Sequence, residues 1–294
     1  MTVKNIIKGV GLVFTASVLL SACSSDDKLR DESIFDTTEK PKTELDQWIE
    51  NKYTKPYNIS ATYLWDESLG KPDKTLFPPK VSSVKPALQV IKKIWIDTYT
   101  EIGGEDFVKK LAPRQLHFIG SYNLNHNGTI VLGDAGGGAR ITMYNTDYIN
   151  YKSLASVRQF VHTIQHEYIH ILNQTKPYDL KAWSKVASLK GGYTSSWYIE
   201  RDDVSNNLGF VTPYARSNYD EDFAETAAFV LLRSEAEKQV FLKDIKDAEG
   251  RKIIEQKFQL VEQYFKNQFD MDFYALRDAA ERNTQAVMAG DLEE

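Results

Sequence analysis

The chain has 294 residues, 42% of them hydrophobic and 12% aromatic, and its formal net charge is -5. This length and composition predict a folded globular protein with one large domain or two small lobes. The negative charge argues against nucleic acid as a partner, and the sequence has neither an internal repeat nor a low-complexity tract.

The first residues have the pattern of a targeting segment. Lys4 and Lys8 precede an apolar run over 10–20, and small residues then lead to Cys23, the only cysteine. The run is too short to span a membrane, and it predicts a lipoprotein signal peptide over 1–22 whose removal leaves Cys23 as a lipidated N-terminus. The mature chain would then work outside the cytoplasm, attached to a membrane by the lipid, and a single cysteine allows no internal disulfide.

A polar, charged stretch over 23–43 is typical of a flexible tether, and the folded domain is predicted over 44–294. Hydrophobic patterns predict these elements in its first part: a helix over 45–53, a strand over 57–65, a helix over 85–102, and strands over 115–120, 129–132 and 140–144. His117 and His126 are interpreted as structural or exposed, because neither has a carboxylate or second histidine at ligand spacing.

The segment 160–174 contains the motif His166-Glu167-Tyr168-Ile169-His170. Apolar residues at spacings of three and four predict a helix here, which Ser153 can cap and Pro177 ends. Residues four apart lie one turn above each other on a helix, so the two histidines can direct imidazole nitrogens at one point. Such a point suits a metal ion.

Glu167 is offset from the two histidines and can act on a water molecule instead of the metal. This division of labour is that of a metallopeptidase, and a catalytic zinc ion needs a third protein ligand and an open position for water. His162 lies one turn earlier and is expected to pack or to support a ligand. The run 140–144 is expected to line the cleft and to pair with an extended substrate, while Gly136 to Gly138 predict a plain hairpin turn.

A Tyr- and Trp-rich connection over 178–216 is the predicted rim of the cleft. A helix follows it, capped by Asn218 or Asp220. Glu221 and Glu225 are one turn apart on this helix, so both can face the histidines. One is expected to be the third ligand and the other an acceptor for a ligating histidine, and the spacing does not decide which.

From about residue 234 the chain is helical by pattern, with apolar faces over 253–265 and 273–288. The whole pattern predicts an α+β fold of zincin type. A small mixed sheet packs on the histidine helix in an upper lobe over about 44–175, and a helical lower lobe covers about 176–294.

The two informative segments resemble the gluzincin pattern of the anthrax lethal factor type, in which a Tyr stands seven positions before the ligating Glu. Tyr214 and Glu221 have this spacing, and Phe223-Ala224-Glu225 follows. The resemblance implies that Glu221 is the third zinc ligand. It also implies that Tyr214 stabilises the oxyanion of the transition state and that Glu225 supports a ligating histidine.

A wider resemblance covers most of the mature chain. The lipobox, the opening with Lys55-Pro56-Tyr57, and the histidine helix ending in Asn173-Gln174 are similar to the substrate import-associated zinc metallohydrolase lipoproteins of the Bacteroidota. Ser24-Ser25-Asp26-Asp27 resembles the export signal that sends such lipoproteins to the cell surface. The resemblance implies an outer-membrane, surface-exposed protein associated with a TonB-dependent importer and a nutrient-binding lipoprotein.

The predicted function is therefore that of a zinc-dependent peptidase. One Zn²⁺ held by His166, His170 and Glu221 activates water with the help of Glu167, which passes the proton to the leaving amine. One alternative is a catalytically inactive, zinc-containing lipoprotein that captures peptide or glycan for the importer. Another is a hydrolase of a non-peptide amide, such as a peptidoglycan fragment.

Overall fold

The computed structural model describes residues 41–71 and 73–293. The predicted signal peptide, Cys23 and almost all of the predicted tether lie outside the described residues. From Thr43 onward the chain forms one compact unit. Among the described residues, no helix has the length and apolar character that crossing a membrane requires.

The described α-helices are, in chain order, α1 Glu44–Ile49, α2 Lys55–Tyr57, α3 Val81–Ile91, α4 Thr98–Gly103, α5 Glu105–Leu111, α6 Leu154–Thr175, α7 Leu180–Ala187, α8 Asp202–Asn207, α9 Tyr219–Leu231, α10 Glu235–Asp244, α11 Ala248–Phe269 and α12 Phe273–Met288. Wider helical turns over Glu50–Thr54 and Lys92–Asp97 join α1 to α2 and α3 to α4. The described strands are β1 Ser60–Thr62, β2 Gln115–Phe118, β3 Asn123–Leu124, β4 Ile130–Val131, β5 Gly133–Gly136 and β6 Arg140–Met143.

Four strands form one mixed sheet in the order β1-β2-β6-β5. The β1–β2 and β2–β6 pairs are parallel, and β5 pairs antiparallel with β6. Strands β3 and β4 form a separate two-stranded hairpin. This small mixed sheet and the helical C-terminal region confirm the predicted α+β fold class.

The predicted role of the run 140–144 is wrong. Strand β6 lies inside the sheet with a partner on each side, so its main chain has no free edge for a substrate. The edge strand next to β6 is β5, which the sequence did not predict because glycine and aspartate are depleted in strands. The glycine turn itself is confirmed, since Gly137 and Gly138 adopt positive φ values of 58° and 71° between β5 and β6.

The predicted strand over 57–65 is shorter than expected. Tyr57 ends helix α2, and Asn58 then turns the chain in a left-handed conformation with φ of 55°. The strand keeps only the three residues that pair with β2. In contrast, the predicted helix over 85–102 is longer than expected, since it starts at Val81 and ends at Gly103.

Helix α6 is the element on which the sheet and the C-terminal helices meet. The side chain of Ser153 caps it as predicted, and it ends at Thr175 before Pro177. Its apolar residues belong to the main core, and it packs on β5 and β6 on one side and on α9 on another. Helix α9 also packs against α11 and α12. This arrangement sets the histidines of α6 opposite the carboxylates of α9.

Candidate metal centre

Three of the predicted site residues converge on one point between α6 and α9. His166 Nε2 lies 2.8 Å from Glu221 Oε2, His170 Nε2 lies 3.3 Å from the same oxygen, and the two Nε2 atoms are 3.1 Å apart. The cap of α9 helps to place Glu221, since the Asn218 side chain accepts hydrogen bonds from the backbone N–H groups of Asp220 and Glu221. Of the two caps considered, Asn218 is the one that forms.

This donor set fits a zinc ion. Ligand atoms about 2.0–2.1 Å from a tetrahedral zinc lie about 3.3 Å from one another, and the three observed separations are close to that value. Two imidazole nitrogens and one carboxylate oxygen are also a combination that zinc prefers in catalytic sites. The geometry of the three side chains is therefore compatible with a bound zinc ion.

Glu225 lies one turn further along α9 and faces the other side of the same imidazole. Its Oε1 is 2.9 Å from His166 Nδ1, although the angle there is poor for a hydrogen bond. Glu225 Oε1 also lies 2.6 Å from His162 Nε2, and the Thr212 hydroxyl donates to Glu225 Oε2 at 2.7 Å. His162 therefore contacts the supporting carboxylate. No pattern in the sequence indicates Thr212.

His162, His166 and Glu225 also lie close enough together to form a second group of potential metal ligands. The two groups differ in exposure, because Glu221 and His170 line a cavity of about 640 Å³, whereas Glu225 is 5% exposed and lines only a smaller cavity of about 330 Å³. The geometry thus favours Glu225 as a residue that orients His166. Glu221 is the better candidate for the third ligand, because its carboxylate reaches the Nε2 atoms of both histidines.

Glu167 lies where the edge strand passes closest to α6. A β-carbon on Gly133 would lie 2.5 Å from Thr163 Cγ2 and 3.2 Å from Glu167 Cγ, so only glycine allows β5 to approach the helix this closely. Glu167 is 8% exposed and lines both cavities that flank the histidines. It is thus buried beside the predicted metal position and still reachable by a substrate.

Tyr214 lies in a short helical turn, Tyr214–Arg216, before α9. Its ring centroid is 5.8 Å from that of His166, and Trp197 packs edge-on against it at 4.8 Å. Tyr214 lines both cavities, as Glu167 does. The structure therefore brings together Tyr214, Glu167 and the three potential ligands.

The charges of the site favour a cation at its centre. Burial alone would lower the pKa of His166, but the carboxylates of Glu221 and Glu225 outweigh it and raise the pKa to about 10. Burial alone would raise the pKa of Glu221, but the histidines facing it hold that pKa well below its usual range. Burial raises the pKa of Glu167, and burial together with the charge of Glu221 raises that of Tyr214.

Two cavities flank the histidines. The first, of about 640 Å³, lies on the His170 side and is lined by β5 and by the start of α9, including Asp134, Asp220 and Glu221. The second, of about 330 Å³, lies on the His166 side beneath the β3–β4 hairpin. Together they form a cleft that passes the predicted metal position.

The two remaining histidines lie away from this cleft. His117 is buried in β2 and its Nδ1 is 2.8 Å from the hydroxyl of Thr62. His126 is exposed in the turn of the β3–β4 hairpin. These positions agree with their interpretation as structural and exposed residues.

Sequence reasoning missed a buried ion pair behind the metal centre. Lys257 of α11 lies 2.7 Å from Asp222, the residue after Glu221, and neither side chain has exposed surface. Trp183 and Tyr193 also donate hydrogen bonds to this carboxylate, at 3.2 and 2.9 Å. No local pattern signals the pair, because its partners are 35 residues apart on two helices.

The comparisons with known proteins agree with this geometry. The model of a family described as "Putative zinc-binding metallo-peptidase" matches residues 38–274. The chain is similar to the crystal structure of "a putative zinc-binding metallo-peptidase" from Bacteroides caccae, with 30% identity, a TM-score of 0.68 and coverage of 87% of this chain and 97% of that chain. None of the curated proteins matches. Since the family model spans well over half of the chain, this protein belongs to that family.

Proposed function

We propose that the protein is a zinc-dependent peptidase in which His166, His170 and Glu221 hold one zinc ion and Glu167 is the general base. The observation that carries this proposal is the convergence of the three ligand atoms within 3.3 Å of one another, in a cleft that Glu167 also lines. Membership of the family supports zinc as the metal and hydrolysis as the general chemistry.

A zinc ion at this site would lower the pKa of a water molecule and polarise a carbonyl group. Glu167 takes the proton of the attacking water and passes it to the leaving amine. Its burial supports this role, since the raised pKa brings the carboxylate nearer to neutral pH and makes it a better base. Tyr214 donates a hydrogen bond to the developing oxyanion, and its raised pKa keeps the hydroxyl protonated.

The edge strand β5 supports a peptide as the substrate class. Strand β5 pairs on one side with β6, and its residues Gly133, Asp134 and Ala135 line the first cavity on the other. An extended peptide can add to such an edge through main-chain hydrogen bonds. This supports a peptide or protein substrate over a non-peptide amide.

The location and partners are part of the same proposal. Cys23 carries the lipid that anchors the chain to the outer membrane, and the peptidase acts at the cell surface together with a TonB-dependent importer and its nutrient-binding lipoprotein. The sequence around Cys23 and the resemblance to import-associated lipoproteins support this. Peptides released at the surface would then supply the importer.

The proposal is tested by zinc content and peptide cleavage in protein that starts after Cys23. We expect about one zinc per chain and a marked loss of zinc in Glu221→Ala. The control Asp220→Ala, which changes the neighbouring exposed carboxylate, should keep its zinc. Glu167→Gln should keep its zinc and lower turnover of a peptide library by about 10²–10⁴. Glu255→Gln, on the exposed side of α11, is the control for that change.

Unchanged turnover in Glu167→Gln would contradict the assignment of the base. A full zinc content without cleavage of any peptide would instead favour the alternative, a zinc-containing lipoprotein that binds peptide or glycan for import.

A further inference from the structure

Acidic side chains dominate the charge of the first cavity. Its volume is about 640 Å³, and the carboxylates of Asp134, Glu167, Asp220 and Glu221 belong to its lining. Among the described residues, no lysine or arginine lines either of the two cavities that flank the histidines. A cleft that carries charge of one sign raises the local concentration of ligands of the opposite sign.

One of these carboxylates lacks a counter-charge even when the metal is bound. The proposed divalent zinc ion offsets the charges of Glu221 and Glu167. Lys71 Nζ lies 2.8 Å from Asp134 Oδ2 and offsets the charge of that carboxylate. Asp220 is exposed, and the part of the chain that the structure describes supplies no ion-pair partner for it. Its charge is therefore left for a ligand of the cavity.

The contact made by Lys71 shows which kind of group the rim of this cavity attracts. The ammonium group lies 2.8 Å from the Asp134 carboxylate and 5.4 Å from the centroid of the Tyr144 ring. The Tyr144 hydroxyl donates to the same carboxylate at 2.7 Å. A carboxylate beside a tyrosine ring thus already binds a cation in this part of the molecule.

Asp220 has similar surroundings but no such cation. The Tyr178 hydroxyl donates to Asp220 Oδ1 at 2.9 Å, which leaves the second carboxylate oxygen for a ligand. Tyr219 and Tyr214 also line the cavity, and they are 37% and 36% exposed. Exposed tyrosine rings attract cations through their faces. The carboxylate and the rings together favour a lysine or arginine side chain, whereas a glutamate or aspartate of the substrate would be repelled.

The direction of β5 decides which part of a peptide reaches Asp220. The strand contributes residues 133–135 to the first cavity and only Gly133 to the second, so its residue numbers fall from the first cavity to the second. A peptide that adds antiparallel to β5, the more stable pairing, runs from the first cavity to the second. Glu167 lines both cavities, so the cleaved bond lies at their junction. The residues before that bond therefore lie in the first cavity.

We propose that the first cavity selects peptides with a lysine or arginine among the residues before the cleaved bond, and that Asp220 binds this side chain. The inference rests on the proposed peptidase function and names its substrate class. For peptides that differ only at the selected position, we expect lysine to give a kcat/KM about fivefold higher than glutamine, the size of effect that one exposed ion pair gives. Because such a pair is screened by salt, the preference should shrink at high ionic strength.

The first test maps cleavage sites in a peptide library and then compares matched peptides with lysine, glutamine or glutamate at the selected position. Asp220→Asn should remove the lysine preference, and Asp220→Lys should turn it into a preference for glutamate. Asp202→Asn is the matched control, since Asp202 is also exposed in the first turn of a helix but lines neither cavity. It should keep the lysine preference. All variants are compared after their zinc content has been found equal.

The second test measures binding of the same peptides to zinc-loaded Glu167→Gln protein at low and high salt. Tighter binding of the lysine peptide at low salt, lost when Asp220→Asn is added and kept when Asp202→Asn is added, supports Asp220 as the residue that binds the basic side chain. If that pattern is found and the parent protein cleaves nothing, only the peptidase proposal fails. Cleavage with no basic preference before the bond, equal binding of all peptides, or a lysine preference that Asp220→Lys leaves unchanged would overturn the inference.

Discussion

Helix α9 carries carboxylates on two faces, and the two faces meet different surroundings. Asp222 faces α11, where Lys257 Nζ lies 2.7 Å from Oδ2 and 3.0 Å from Oδ1. Lys257 also donates to the Gly209 carbonyl at 2.8 Å. Burial lowers the pKa of Lys257 and raises that of Asp222, and the attraction between the two charges opposes both effects. The charge of the Asp222 carboxylate is therefore balanced by a cation of the protein itself.

Glu221 and Glu225 are one residue before and three residues after Asp222, and they face imidazoles instead. The Glu221 side chain is 21% exposed and lines the first cavity. An imidazole has no fixed charge, so these carboxylates are balanced only by protonation of the histidines or by a bound cation. Helix α9 therefore serves two purposes. The closed ion pair fixes the position of α9, and the open cluster leaves room for a ligand.

The largest expected effect on stability is at the closed pair. Lys257→Met leaves the Asp222 carboxylate buried without its cation, which should lower the free energy of unfolding by about 3–5 kcal/mol. Urea denaturation of the variant and its parent measures this change. Lys266→Met is the matched control, since Lys266 pairs with Asp270 on the exposed side of the same helix and its loss should change stability little.

Folded Lys257→Met protein at low urea should still bind about one zinc ion per chain, since none of the three potential ligands is changed. An equal loss of stability in Lys257→Met and Lys266→Met would show that burial of the pair does not matter. Loss of the zinc site in folded Lys257→Met protein would show that the two faces of α9 are coupled.

A smaller effect is expected from Glu225, which supports the open cluster without reaching the two Nε2 atoms. Glu225→Gln keeps the shape of the side chain but removes the charge 2.9 Å from His166 Nδ1. Loss of such an orienting carboxylate typically lowers metal affinity by about 10–100-fold. Competition with a chelator of known affinity measures the change, and Asp220→Asn at the exposed start of the same helix is the control. Unaltered zinc affinity would assign Glu225 a role in packing alone.

The sequence predicts the histidine half of this cluster well. A spacing of four on one helix fixes how His166 and His170 lie relative to each other, whatever the rest of the fold does. The spacing could not separate Glu221 from Glu225, because that choice depends on how α9 packs on α6. The resemblance to known metallopeptidases favoured Glu221, and the structure places that carboxylate at the Nε2 atoms of both histidines.

Other parts of the cleft depend on contacts between distant segments and could not be predicted. Gly133 to Gly136 have little tendency to form a strand, and β5 exists because β6 pairs with it and because Gly133 fits against Thr163. The Asp222–Lys257 pair could not be predicted from the sequence for a similar reason. A lysine in an amphipathic helix is normally solvated, and only the packing of α11 on α9 buries it.

The smallest expected effect is at Thr212, which the sequence did not indicate. Its hydroxyl donates to Glu225 Oε2 at 2.7 Å and accepts from the Ala215 N–H at 3.1 Å. Thr212→Val removes both bonds while keeping the shape, and the loss of one hydrogen bond, about 0.5–1.5 kcal/mol, would lower zinc affinity about 2- to 10-fold. A double-mutant cycle with Glu225→Gln separates the two bonds. If Thr212 acts through Glu225, Thr212→Val should have little further effect on zinc affinity once Glu225 is glutamine. An undiminished effect in that background would mean that Thr212 acts through the turn that carries Tyr214, and the open cluster would then extend only to Glu225 and His162.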